Sequence, residues 1–184
     1  MTEVDGAEAT SRPSTPAPAA PAQVGRPLWP IFLGLAGSIV VVDQLTKAWL
    51  SSFLSKGQSV DVLGDYVRLV HSQNAGGLFG LLQGQALVFG LVSLVVVALI
   101  VVYHGRLGEN RYLSITLGFL LGGAVGNLID RLRLGYVVDF VDAGLGDLRW
   151  YTFNVADTAI SFALVLLIAA SIWPSLAGRA SVDA

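Results

Sequence analysis

The chain has no cysteine, which removes disulfides, thiolate metal sites and cysteine nucleophiles. Charge is scarce too: only 13% of residues are Asp, Glu, Lys or Arg, about half the share usual in a soluble domain, while 54% are hydrophobic. Mean hydropathy is +0.67, so lipid is the main solvent these side chains meet. With 11 basic residues against 13 acidic ones there is no surplus of positive charge, and nucleic acid is excluded as a partner. Histidine occurs twice, at His71 and His104, and lysine twice, at Lys47 and Lys56. Any chemistry must be drawn from carboxylates, amides, hydroxyls and these few bases.

Four apolar stretches are long enough to cross about 30 Å of hydrocarbon as helices. They run over about 28–50, 85–103, 112–132 and 155–173, with interfacial aromatics (Trp29, Trp49, Tyr103, Tyr112, Trp150, Tyr151, Trp173) near their ends. The expected fold is a membrane all-α bundle of four transmembrane helices with a small extracytoplasmic β-sheet and a short interfacial helix or loop. The sheet is expected at 59–70, where Ser59-Val60-Asp61-Val62-Leu63 and Tyr66-Val67-Arg68-Leu69-Val70 alternate with period two. The interfacial helix or loop is expected in the glycine-punctuated segment 133–154. Residues 1–27, rich in Ala, Pro, Ser and Thr, read as a disordered cytoplasmic tail, 28–174 as the four-span domain, and 175–184 as a short cytoplasmic tail. An even number of spans puts both termini on one side. Basic residues divide almost evenly between the two sides, and only the arginine-bearing connection from His104 to Arg111 favours cytoplasmic termini.

Polar residues within the spans crowd one membrane face. Asp43 and Lys47 lie toward the outer end of span one, Asn127, Asp130 and Arg131 toward that of span three, with Asp139 following and Asn154 and Asp157 opening span four. Span two carries no charge. A conducting path needs polar groups at several depths, so the pattern fits a site open to one side. Each piece also has a plainer account. Asp43 and Lys47, four apart, form an intrahelical ion pair that neutralises both. Asp130 beside Arg131 makes a local pair. Asn127 and Arg131 serve either helix packing or contact with substrate carbonyls. Gly118, Gly122 and Gly126 make a small-residue packing face. Asp139 and Asp157 flank the same outer connection, so the topology returns both to one depth, where two carboxyl groups sharing a proton can act as base and acid. Alternatively each caps a helix or pairs with Arg131 or Arg133. The two histidines fall on opposite sides of the membrane, which rules out a metal site or serine triad built from both. Ser51, one turn beyond Lys47, leaves a serine–lysine arrangement open. Gly144-Leu145-Gly146-Asp147 spells a G-x-G-D run, but between spans.

Five blocks, in order, resemble the bacterial lipoprotein signal peptidases: Asp43-Gln44-Leu45-Thr46-Lys47, Asn74-Ala75-Gly76-Gly77-Leu78-Phe79-Gly80, Gly122 to Arg131, Val138-Asp139-Phe140, and Phe153-Asn154-Val155-Ala156-Asp157. The second block departs mildly, with Gly77 and Leu78 where alanine is usual. The resemblance implies an aspartic endopeptidase with Asp139 and Asp157 as catalytic residues. It implies that Asn74, Gly76, Asn127, Arg131 and Asn154 bind substrate and that Asp43, Lys47 and Asp130 support them, with no metal and no cofactor. It further implies a diacylated prolipoprotein substrate cleaved before the lipidated cysteine, contact with membrane lipid, inhibition by globomycin-type compounds, and residence in the bacterial cytoplasmic (inner) membrane with the active site facing outward. A small membrane transporter subunit or a non-catalytic membrane scaffold is the alternative from other classes.

Overall fold

The computed structural model describes residues 26–76 and 85–178. The N-terminal tail up to residue 25, the block residues Gly77 and Leu78, and the last six residues lie outside the described part. Four helices are long and apolar enough to span a membrane: α1 (Trp29–Phe53), α2 (Ala86–Leu107), α3 (Arg111–Leu134) and α4 (Val155–Ile172). Their bounds agree with the expected spans to within a turn or so. The side chains agree as well. Leu87, Leu91, Val95 and Leu99 of α2 present an exposed apolar face, which only a lipid surround makes tolerable.

α3 is the hub, packing on α1, α2 and α4. Its N-terminus is held by Asn110, whose side chain accepts from the Leu113 amide at 3.0 Å, and it stops at Gly135, which takes the left-handed conformation (φ 76°) that glycine adopts freely. The glycine face allows close approach. A Cβ at Gly122 would lie 2.9 Å from the Ala36 carbonyl oxygen of α1, and one at Gly126 would lie 2.8 Å from Asp43 Oδ2. A Cβ at Gly123 would collide with the Ala156 carbonyl and with Ile160 of α4. Phe32, Ala36, Ile100, Leu117, Leu121 and Ala124 form the core shared by α1, α2 and α3.

Beyond the outer helix ends lies one antiparallel sheet in the order β1 (Ser59–Leu63), β2 (Val67–Asn74), β3 (Val137–Leu145), β4 (Leu148–Arg149). The first hairpin is where period-two alternation put it. The second outer connection differs from expectation: in place of an interfacial helix or loop it supplies β3 and β4, and β3 pairs along most of β2. Val137-Val138-Asp139-Phe140-Val141 is dense in β-branched and aromatic residues, and the partner strand that makes it a strand lies more than 60 residues away in sequence. Gly146-Asp147, the tail of the G-x-G-D run, is the tight turn of the β3–β4 hairpin, with Gly146 at φ 56°. Phe140 packs with Leu50 and Leu54, fastening the sheet to the outer end of α1.

Candidate active site

Asp43, Lys47, Asn127, Asp130, Arg131, Asp139, Asn154 and Asp157 converge where α1, α3, α4 and the sheet meet. Asp139 projects from β3. Its neighbour Ser72 on β2 sits directly opposite and Asn74 two residues further, so Asn74 shares its face of the sheet and donates from Nδ2 to Asp139 Oδ2 at 3.2 Å. The Gly76 amide donates in turn to Asn74 Oδ1 at 3.0 Å, which fixes the orientation of that amide. Among the described residues, Gly76 thus reaches Asp139 by way of Asn74.

Asp157 enters from the first turn of α4 through a capping box. Asn154 Oδ1 accepts from the Asp157 amide at 2.9 Å, and Asp157 Oδ2 accepts from the Asn154 amide at 3.3 Å. Helix capping and membership of the site are therefore one arrangement and not rival accounts. The Asn154 side chain is the bridge: its Nδ2 donates to Asp139 Oδ1 at 2.7 Å while its Oδ1 holds the Asp157 amide. Asn127 on α3 completes the set, donating to Asp157 Oδ1 at 2.7 Å and accepting from Asn154 Nδ2 at 3.2 Å. Asp139 is only 2% exposed. Burial, joined by the nearby Asp157 carboxyl, pushes its pKa up to about 7, against the opposing pull of the Asn74 and Asn154 hydrogen bonds and the Lys47 charge.

Beneath the pair lies a buried ion cluster. Lys47, 4% exposed, places Nζ 2.8 Å from both Asp43 Oδ2 and Asp130 Oδ2 and donates to Asn127 Oδ1 at 3.2 Å. The expected intrahelical pair of Asp43 and Lys47 is present, but Asp130 does not pair with its neighbour Arg131. It turns to α1 and the sheet, accepting from Gln44 Nε2 at 2.9 Å and from the Val138 amide at 3.1 Å, one residue before Asp139. Asp43 Oδ1 accepts from the Ala156 amide at 2.9 Å, satisfying a donor at the start of α4 that the helix itself leaves open. The cluster thus positions both the strand and the helix of the site: Asp130 the backbone before Asp139, Asp43 the backbone before Asp157. Among the described residues, the partners of Lys47 Nζ are Asp43, Asp130 and Asn127 and not Ser51, so the serine–lysine arrangement is not formed.

Arg131 donates from Nη1 to the Asn127 carbonyl at 3.3 Å and lies 5.9 Å from the centroid of the Phe89 ring on α2. Its buried Nε has no partner among the described residues. Arg131, Asp139 and Asp157 all open onto a cavity of about 610 Å³ walled by α2, α4 and the segment Trp150–Phe153. Those walls are apolar, from Phe89, Val92 and Val96 on one side to Ile160 and Leu164 on the other. The two histidines stay apart: His71 Nδ1 is 2.8 Å from the Leu54 carbonyl beside the sheet, whereas His104 stacks on Phe32 at the far end of the bundle.

Sequence reasoning missed Gln44, which was legible only as part of the first block, and the α2 wall. Phe89 carries no sequence signal, because span two is apolar on every face and nothing marks which side turns inward.

A family model described as signal peptidase (SPase) II matches residues 35–173. A lipoprotein signal peptidase of Moorella thermoacetica is 39% identical over 137 residues, covering 74% of this chain and 89% of the relative. One from Pseudomonas putida is 39% identical over 158 residues, covering 83% and 90%. Two solved structures described as bacterial membrane enzymes share the fold, one with a TM-score of 0.76 at 24% identity over 87% of this chain and 98% of its own, the other with 0.74 at 25% identity over 81% and 97%.

Proposed function

The chain belongs to the signal peptidase II family, and from that premise we propose that it removes signal peptides from prolipoproteins as an aspartic endopeptidase, with Asp139 and Asp157 as its catalytic pair. The observation that carries this reading is the Asn154 bridge, which holds both carboxyl groups on one cavity, together with an Asp139 pKa near 7. A group half-protonated at neutral pH is matched to proton transfer in either direction. The pair holds one proton between them and titrates as a unit. The ionised member takes a proton from water, whose oxygen attacks the scissile carbonyl carbon; the protonated member donates to the carbonyl oxygen. Collapse of the resulting diol breaks the C–N bond and passes a proton to the departing amine, returning the pair to its starting state.

Asn74, Asn127, Arg131 and Asn154 hold the extended peptide. Arg131 lines this cavity, and its guanidinium is a donor suited to a peptide carbonyl. The substrate is a prolipoprotein whose lipobox cysteine carries diacylglycerol, and cleavage falls just before that cysteine. Its chains lie along the apolar walls of α2 and α4, binding energy remote from the reacting bond that orients it. Globomycin-type compounds compete for the same cavity. The protein spans the cytoplasmic membrane of a bacterium with the sheet and active site outward and both tails inside. A transporter subunit is disfavoured by the confinement of its intramembrane charges to one end of the bundle, and a scaffold by its family.

Cleavage of a diacylated precursor by reconstituted protein, with and without globomycin, tests the reading. Asp139→Asn and Asp157→Asn proteins that keep the wild-type circular dichroism are expected to lose cleavage by at least about a thousandfold. Retained cleavage in either would sink the dyad.

A further inference from the structure

Hydroxyls in a lipid-embedded helix ordinarily return to the helix itself, because an unmet donor in hydrocarbon is costly. Ser38, Thr46, Thr116 and Thr158 do so, each donating at 2.8 to 2.9 Å to the carbonyl four residues earlier. Ser114 donates to the Gly108 carbonyl at 2.8 Å. Among the described serines and threonines of the four helices, the exceptions are Ser51, at the water-facing end of α1, the half-buried Ser93 on α2 and the exposed Ser161 on α4.

Ser93 and Ser161 both line the cavity of the catalytic pair, from opposite walls. Ser161 is four residues past Asp157 and on the same face of α4, so it lies about 6 Å deeper along the helix. Ser93 is four residues past Phe89, the ring beside Arg131, and so lies one turn deeper than the substrate-facing guanidinium. Each is flanked by aliphatic side chains, Val92 and Val96 on α2, Ile160 and Leu164 on α4. The cavity therefore carries a pair of free donors one turn below the reacting zone, in walls that are otherwise hydrocarbon.

A ligand matched to this level is apolar, with oxygen acceptors a few bonds from the scissile peptide. Building on the reading above, we infer that Ser93 and Ser161 donate hydrogen bonds to the acyl-ester carbonyls of the lipid on the substrate cysteine, so that the site reads the linkage of the chains as well as their length. Those carbonyls follow the cysteine sulfur by a short glycerol spacer, which matches a drop of one helical turn. An ester carbonyl accepts and cannot donate, and a serine without an internal partner is its complement. Peptide carbonyls of the signal sequence share the same acceptor chemistry, and the test separates the two sources.

Two precursor peptides are made with identical sequence and chain length, one bearing diacylglyceryl (ester) and the other dialkylglyceryl (ether) on the cysteine, and kcat/KM is measured for each in the same bilayer discs. The wild-type protein is expected to favour the ester by about 25-fold, since each of the two neutral hydrogen bonds is worth about fivefold. Ser93→Ala and Ser161→Ala should each shrink that preference about fivefold, the double variant should bring it near unity, and Ser161→Thr, which keeps the hydroxyl, should restore it. Alanine variants that slow both substrates equally, or a preference that survives in the double variant, overturn the inference; the first outcome assigns the hydroxyls to peptide carbonyls. If the wild-type protein cleaves neither precursor, the peptidase reading itself fails, a result distinct from cleavage of both without discrimination.

Discussion

Replacing Asp139 with asparagine sets two opposite effects against each other. Since burial and Asp157 raise the Asp139 pKa from 3.8 to about 7, the folded state favours the protonated form. The stabilisation that this protonation gives is complete below about pH 4 and is lost as pH climbs through 7. A displacement of about three units at 1.36 kcal/mol each bounds the loss at about 4 kcal/mol. Asparagine never ionises and escapes it. Against that, Asn74 and Asn154 both donate to the carboxylate, at Oδ2 and Oδ1, and an amide has only one oxygen, so one hydrogen bond worth about 1 kcal/mol goes. Asp139→Asn should therefore be less stable than wild type by less than about 1 kcal/mol at pH 4, cross it near pH 5, and exceed it by up to about 3 kcal/mol at pH 8, while being inactive throughout. Thermal unfolding in one detergent between pH 4 and 8, followed by near-ultraviolet circular dichroism, reads the crossing. The same titration predicts that wild-type kcat/KM falls about tenfold per pH unit above about 7, as the pair loses its shared proton. Parallel stability curves with no crossing would refute the raised pKa, and with it the account of how the pair holds its proton.

Lys47→Met leaves Asp43 and Asp130 facing one another, buried and without a cation, and should destabilise the protein by about 3–5 kcal/mol; restoring neutrality with Asp43→Asn in the same chain should recover part of that loss in a detergent unfolding assay. Gly123→Ala drives a methyl group into the Ala156 carbonyl and Ile160, so α4 must shift away from α3. The expected result is destabilisation by about 1–3 kcal/mol and a fall in kcat/KM larger than that for Gly34→Ala, whose Cβ has open space.

Much of the site was readable because of the setting. In hydrocarbon a charge must be paired or used, so Asp43, Lys47, Asp130, Asp139 and Asp157 stood out against apolar spans, and the spacing of four between Asp43 and Lys47 already contained their ion pair. The four spans follow from length and hydropathy alone, and the hairpin of β1 and β2 from period two and its turn. These are local properties, carried by residues that meet neighbours within a turn or a strand.

What the tertiary structure decided is which partner each side chain chose. Asp130 had Arg131 beside it and took Lys47 and the Val138 amide instead, because a helix sends adjacent residues about 100° apart and only one of the two could face α1. The 133–154 segment became strands because β2 was waiting with open donors and acceptors. Asn154 became the bridge between two carboxyl groups because α4 begins where β3 passes, and the inward side of the featureless α2 was set by contact with α3. Composition and spacing specify what each residue can do; only the closing of the chain on itself selects among those capacities.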